Sequence, residues 1–519
     1  MEKQYLYKDY EKFFHCIFGK AKYIIHESDM VFSDGKIDSA LIYYTKEIYD
    51  LLNTKAVKRL ARIFQLGTKI LSNEKLSHTR LEHSKGTYYR TLNMLMRISE
   101  DTEIKEKMTN EKMKQYFIAE LIRALLHDLG HGPFSHTLET VCRLPKGFHE
   151  IIGKRIIEED EEVRSRLEAI SPDLPNSMIE VEKRNFLGLN SLFEGQFDVD
   201  RADFVLRDMV FFGSTRNQEI REIIEQLLCN FKLKQIEVDG KRRIVPVFDN
   251  SQMTNMERFL KIRNEGYKHI YYSDYGKRGE HIFRKFADEL LETDESYELK
   301  DYLGSLLEAN PQSVDLQQYM KYDDIEYIRA IIEIYKNTKN ERLKKLALCC
   351  IPKEEALDYL YYGAMVSVEQ VDENGNAILS EKDRKLFEDI IEIRKKVGNK
   401  DFSEEYFQII RCKSRQELSR YISEIKNITG INDENELDRA GVFFDISQNS
   451  TYKAKKGEEI YIEGQDGKVY EYSTHPERKQ PIDNFENIIL IIDNDQISRV
   501  TNKDIDEQIR NVFQEHIEI

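Results

Sequence analysis

Apolar residues recur at three- and four-residue intervals over long stretches of the chain, the period of helices that bury one face. Phe117, Ile118, Leu121, Ile122, Leu125 and Leu126 form one such stripe, which runs into His127-Asp128 and the breakers Gly130, Gly132 and Pro133. Val199, Ala202, Val205, Leu206 and Met209 form another, ending at Gly213. The spacing predicts successive helices from Ile48 to about Leu291, then further charged amphipathic helices to about Thr429, Tyr327–Tyr335 among them. Residues 1–48 are aromatic and mixed, predicting a helix with irregular arms. Beyond residue 430 the period changes: Glu458–Ile462 and Lys468–Ser473 alternate around the turn signal Gly464–Gly467, as in a β-hairpin. Phe485–Asp493 predicts a strand and Asp504–His516 a closing helix. The expected architecture is mainly α: an N-terminal segment (1–48), an all-helical core (49–291), a helical extension (292–429) and a small α+β C-terminal region (430–519).

Charge narrows the partners. With 78 Lys and Arg against 94 Asp and Glu, the formal charge is −16 over 519 residues. Such a balance argues against general nucleic-acid binding, which needs a basic face, but permits a local basic pocket for one polyphosphate. The longest apolar runs, such as Ile488–Ile492, are too short to span a bilayer, and Met1–Tyr10 carries no signal pattern. Six cysteines without a CxxC pair predict reduced thiols in a cytoplasmic protein. Histidine is the informative residue: of 12, six lie between His78 and His149.

Within that crowd, His127-Asp128 stands at a predicted helix end. Adjacent helical residues point about 100° apart, so both can face one ion only where a helix stops. The glycines after Asp128 provide such a stop. His83 (in HTRLEHS) and Asp200 (in FDVDRADFVLRD) would complete a four-ligand set. Imidazole with carboxylate suits a borderline divalent ion, Zn, Fe, Mn or Co, with positions left for water or substrate.

The segments QLG (65–67), HTRLEHS (78–84), LLHDLGHGPFSH (125–136), FHE (148–150) and DVDRADFVLRD (198–208) together resemble HD-domain deoxynucleoside triphosphate triphosphohydrolases. MERFLKIRNEGYKHIYY (256–272) and QYMKYDDIEYIRAI (318–331) extend the resemblance over roughly residues 50–510. It implies His83, His127, Asp128 and Asp200 as metal ligands, and hydrolysis of a dNTP to deoxynucleoside and inorganic triphosphate. It implies His136 as general acid, with Glu139, one helical turn on and in place of an aspartate, holding its protonation state. His131 and His149 match phosphate contacts, Arg80 and Arg201 triphosphate clamps, the latter in place of lysine. Gln65 and Asp208 match residues that bind the 3′-hydroxyl, and Leu66 one lining the 2′ side. Phe204 replaces a stacking tyrosine, Arg263 matches a phosphate-binding arginine, and Tyr271 a sugar-gate tyrosine. Mg could accompany the substrate triphosphate.

In the human SAM-and-HD-domain branch of that family, nucleotides bound at the start of the HD domain drive tetramer assembly. The matching stretch here, 53–67, carries Asn53 for an aspartate that reads guanine, Lys58 for a glutamine, and Arg62 beside the position of an arginine. An amide both donates and accepts, so the resemblance implies an activator other than GTP, such as a dNTP, and a homo-oligomer, dimer or tetramer. Two other functions stand beside the triphosphohydrolase: an HD phosphohydrolase acting on a monophosphate or signalling nucleotide, and a catalytically silent nucleotide sensor. Depletion of dNTPs in antiviral defence would be a role consistent with the first.

Overall fold

Helix α1 (Tyr7–Phe18) lays Phe13 against Phe117 and stacks Tyr10 on Tyr43, ring centroids 4.3 Å apart. Tyr43 belongs to an antiparallel pair, β1 (Ile24–Ser28) and β2 (Leu41–Thr45). Irregular arms were expected there, but Ile42, Tyr43 and Tyr44 bury their side chains on strand backbone, which suits β-branched and aromatic residues. The computed structural model describes residues 6–19, 24–28, 41–101, 104, 106, 110–180, 195–238, 241–366, 378–398, 402, 406–450, 452, 459–479, 484–501, 508 and 512.

Three capped helices form the heart of the fold. α2 (Arg80–Glu100) starts at a capping box, the Thr79 hydroxyl accepting from the Glu82 amide while Glu82 accepts from the Thr79 amide at 2.7 Å. α3 (Glu111–Leu126) is capped by Asn110 and buries Phe117, Leu121, Ile122 and Leu125 completely, each contributing about 1.5–3 kcal/mol. The short α4 (His136–Val141) and α5 (Phe148–Glu159) follow. α6 (Val199–Phe212) is capped by the Asp198 carboxylate, 2.7 Å from the Arg201 amide, and ends on Gly213 at φ 87°. α2 packs against both α3 and α6.

Gly130 shows why the α3 helix yields to an irregular turn. A Cβ there would lie 2.0 Å from the His149 carbonyl oxygen and 2.3 Å from the Gly153 nitrogen, so only glycine lets α5 come this close.

The expected run of core helices is interrupted by an antiparallel hairpin, β3 (Phe231–Val238) and β4 (Lys241–Phe248). Asp239-Gly240 stands between the strands, a hairpin signal that the helical reading passed over. α7 (Met253–Gly266) then widens into a π-turn over Tyr267–Tyr271, α8 (Asp274–Glu292) crosses the core, and α9 (Asp324–Asn337) packs behind the HD turn. The helical extension likewise gives way to β5 (Phe407–Cys412) before α10 (Arg415–Thr429).

The C-terminal region is mixed, as expected. β6 (Val442–Ser450) and β5 flank the buried central strand β9 (Asn484–Asp493). The hairpin β7 (Tyr461–Glu463) and β8 (Val469–Glu471) docks on the core because β7 pairs in parallel with β4. The helix predicted over Asp504–His516 lies almost wholly outside the described residues. The fold is mainly α with small sheets, and one apolar core draws on residues from Phe14 to Ile491.

Candidate metal centre and active site

The first turn of α2, the end of α3 and the first turn of α6 meet at one point. His83 Nε2 stands 3.2 Å from His127 Nε2, 3.0 Å from Asp200 Oδ1 and 3.7 Å from Asp128 Oδ2. His127 Nε2 lies 3.4 Å from Asp128 Oδ1 and 3.6 Å from Asp200 Oδ1. The far nitrogens fix the tautomers. His127 Nδ1 lies 2.9 Å from the Ala124 carbonyl, which can only accept. His83 Nδ1 lies 3.0 Å from Asp203 Oδ2, and Asp203 is kept ionised, against the cost of its burial, chiefly by Arg207, with His83 and Arg90 adding. Both Nδ1 atoms therefore donate, which leaves the two Nε2 atoms, facing each other among carboxylates, to take a metal ion or a proton. That donor set fits a divalent cation, each imidazole oriented by an outer acceptor as in histidine–metal sites. Burial opposes charge on His83, yet the bonds to Asp200 and Asp203 and the nearby Asp128 carboxylate push it up to about 10, so a proton competes for the same lone pair. Burial likewise works against the charge on Asp128, but Arg80, His127 and His131 hold it well below the usual carboxylate range.

Beside this set, the HGPFSH turn is held by long-range bonds. Phe134 and Ser135 have φ of 54° and 55°, and the buried Asp324 accepts from the amides of Phe134 and Phe64 at 2.5 and 2.8 Å. The Ser135 hydroxyl donates to the Phe64 carbonyl and accepts from Arg80 Nε. Arg80 further donates to Asp128 at 2.8 Å and to the Gln65 carbonyl at 3.2 Å. Past the turn, Glu139 bridges two histidines: Oε2 lies 2.9 Å from His136 Nδ1 and Oε1 2.6 Å from His149 Nδ1. Burial opposes its charge, but these two bonds hold Glu139 far below the usual range, so it accepts only and both Nδ1 atoms donate. His131 stacks on His149 at 4.0 Å; its burial and the neighbouring Arg80 and His149 keep it neutral.

A cavity of about 900 Å³ joins these groups to a recess at Asp208 and Tyr271. It is lined by Gln65, Leu66, Arg80, His127, Asp128, His131, His136, His149, Asp200, Arg201, Phe204, Asp208 and Tyr271. Asp208 is held from two sides, by His78 Nε2 at 2.6 Å and by the Tyr271 hydroxyl. The buried Gln65 Oε1 has no hydrogen-bond partner among the described residues. Other expected residues lie elsewhere. Arg201 lines the cavity but pairs with Asp198. Arg263 does not line it, and donates to the Gln196 backbone and side chain at 2.8 and 3.1 Å. Arg62, expected as an activator contact, is instead committed to Asp323 at 2.7 Å, Glu326 at 3.4 Å and Asp383 at 3.5 Å. Asn53 is exposed at a helix end and Lys58 half-buried, neither on the cavity. Sequence reading missed His78, Asp203 and Asp324, although all three sat within the motifs HTRLEHS, DVDRADFVLRD and QYMKYDDIEYIRAI that could have flagged them.

The HD domain family model matches residues 80–208, the segment that supplies all four convergent candidate ligands. Over those residues the chain is similar to HD domains. It is 29% identical over 283 residues to the uncharacterized protein YwfO of Bacillus subtilis (strain 168), covering 54% of this chain and 60% of that protein. It is 25% identical over 357 residues to the deoxynucleoside triphosphate triphosphohydrolase SAMHD1 homolog of Dictyostelium discoideum, 64% of this chain and 62% of that one. The chain thus matches about three fifths of the length of these relatives. In fold it is similar to a phosphohydrolase from Bacteroides thetaiotaomicron VPI-5482, with a TM-score of 0.61, 18% identity, and coverage of 91% of this chain and 100% of that one. Among the described residues, no helix is long and apolar enough to cross a membrane.

Proposed function

We infer that the chain hydrolyses deoxynucleoside triphosphates to deoxynucleoside and inorganic triphosphate. The observation that carries this reading is the order of groups along one cavity. Asp128 of the metal-capable set lies 3.4 Å from His131, which packs on His136 and His149, while Phe204 packs on both His83 and Tyr271, so a phosphoester bond can sit between an acid and a sugar site.

A divalent ion on His83, His127, Asp128 and Asp200 would supply Lewis-acid polarisation of the phosphate and activation of water. The chain's own groups do the rest. Water oxygen adds to the α-phosphorus as the bond to O5′ breaks. With Nδ1 tied to Glu139, His136 carries its transferable proton on Nε2 and gives it to the departing O5′. Arg80, oriented by Asp128, Ser135 and Gln65, places fixed positive charge on the cavity wall where phosphoryl charge develops. Asp208 and Gln65 offer acceptors to the 3′-hydroxyl, with Leu66 and Phe204 giving apolar walls around the ring. An activator nucleotide in this reading meets Asn53 and Lys58 rather than Arg62, in a protein that assembles as a homo-oligomer.

Incubating the metal-loaded protein with each dNTP, alone and in mixtures, tests the reading; triphosphate and deoxynucleoside are the expected products. A second reading draws on the Asp198 pairing of Arg201 and the Gln196 pairing of Arg263, which leave fewer free cations for a triphosphate tail. In that case the substrate is a nucleotide with fewer phosphates. Orthophosphate from a monophosphate, with no triphosphate from any dNTP, would establish it instead.

A further inference from the structure

The cavity continues past Asp208 and Tyr271 to a charged wall that none of the groups above uses. Tyr271 leads through Tyr267, with centroids 4.9 Å apart, to Tyr272 at 5.6 Å from Tyr267. Lys277 Nζ sits 5.5 Å from the Tyr272 ring centroid. Lys277 and Lys69 then bracket one carboxylate: Glu280 Oε2 lies 3.3 Å from Lys277 Nζ and Oε1 lies 3.1 Å from Lys69 Nζ. Tyr272, Lys69, Lys277 and Glu280 all line the cavity. Asp445 of β6, 3.5 Å from Lys277, closes this end from the C-terminal sheet.

The chemistry of this wall is specific. Burial opposes charge on Glu280, but Lys69 and Lys277 keep it ionised, so it can only accept hydrogen bonds. A carboxylate has about four lone-pair sites and an ammonium three donors, so both kinds of capacity remain after the ion pairs form. Acceptor and donor stand side by side, next to an aromatic ring.

Resting on the dNTP reading above, we propose that Glu280, flanked by Lys69 and Lys277, is the base-reading site and selects nucleobases that present a ring N–H beside a carbonyl. Guanine, hypoxanthine and thymine meet this pattern: the ring N–H donates to Glu280 and the carbonyl accepts from an adjacent lysine. In the register that seats the guanine ring N–H on Glu280, adenine and cytosine present a bare ring nitrogen to the carboxylate and an amino group to the ammonium, two repulsive contacts. A site built to hydrogen-bond one pattern rejects its complement, because two like-with-like contacts replace two hydrogen bonds.

The test is kcat/KM for dITP, dGTP and dATP, and for dTTP against dCTP, with the full-length, metal-loaded protein. dITP and dATP differ only in the pattern at issue. dITP is expected to match dGTP and to exceed dATP by on the order of ten- to a hundredfold, the size of a hydrogen bond to a charged group. Glu280→Gln, whose amide can present either pattern, should bring dITP and dATP to similar values; Lys69→Met should lower dITP and dGTP selectively. Triphosphate release at equal kcat/KM from all five substrates overturns the base-reading site while leaving the hydrolase reading intact. Selectivity unchanged in Glu280→Gln overturns the assignment to Glu280. Absence of turnover with every dNTP overturns the hydrolase reading, and equilibrium binding of deoxyinosine against deoxyadenosine then decides the site: equal affinities overturn it, tighter deoxyinosine binding supports it.

Discussion

His78 Nε2 lies 2.6 Å from Asp208 Oδ1, in a contact closed to solvent, and the Tyr271 hydroxyl takes the other oxygen of the same carboxylate. In the proposed reading His78 reaches the sugar recess only through Asp208, as a positioning residue. His78→Ala should lower kcat/KM for a dNTP by about tenfold. It should leave the corresponding 2′,3′-dideoxynucleotide nearly unaffected, since that analogue lacks the hydroxyl Asp208 receives. Steady-state kinetics with the two substrates check this; an equal loss on both would make the role merely structural.

Asp203 holds His83 from behind and is itself gripped by Arg207 at 2.9 Å. Asp203→Asn should weaken metal affinity on the order of 10- to 100-fold, measured by titration with a chelator. Asp203→Ala strands buried cations and should cost about 3–5 kcal/mol of stability in urea unfolding.

His136 and Glu139 act as one unit if Glu139 serves to hold Nδ1. His136→Ala should lower kcat by on the order of 10²–10⁴. Glu139→Gln should cost less, and the double variant no more than His136→Ala alone, because the two losses share one interaction. Full additivity would separate their roles.

In metal-free protein the His83 pKa is raised from 6.5 to about 10: burial works against the charge, and the hydrogen bonds to Asp200 and Asp203 outweigh it. A raised histidine stabilises fully below its unfolded pKa and loses that contribution as pH climbs through its folded one. The chelated protein should therefore lose thermal stability between about pH 6.5 and 10 through this group. Added divalent metal, which replaces the proton, should restore it most at the alkaline end. Melting curves with and without metal across that range provide the check.

Arg62 answers three carboxylates inside the fold. Arg62→Ala should destabilise by about 3 kcal/mol, as for a broken buried pair, while leaving any nucleotide activation profile of the folded fraction unchanged. Denaturant unfolding and an activity titration with each NTP and dNTP separate the two effects. Sole activation by GTP would contradict the reading of Asn53.

Much of the helical architecture was legible because apolar periodicity is a local signal. The stripe from Phe117 to Leu126 became α3, and Val199 to Met209 became α6, each ending at the residues the pattern marked. The strands were less legible. β3 and β4 carry five lysines and arginines among sixteen positions, and their mixed polarity blended into a helical run. β5 has a short apolar centre, Ile409 and Ile410, that periodicity alone cannot tell from a helix.

By itself the sequence determined the helical stripes Phe117–Leu126 and Val199–Met209 with their ends, and that His127 and Asp128 stand at a helix end where side chains can converge. Those properties depend on residues within a few positions of one another. Only the tertiary structure decided that His78 meets Asp208 across 130 positions, that Asp324 fastens the Phe134 amide across 190, and that Arg62 turns inward. It also decided that Lys69 and Glu280, 211 positions apart, share one wall of the cavity. Periodicity tells a face that it must be covered but not by what, and the covering partner is chosen by packing of the whole chain.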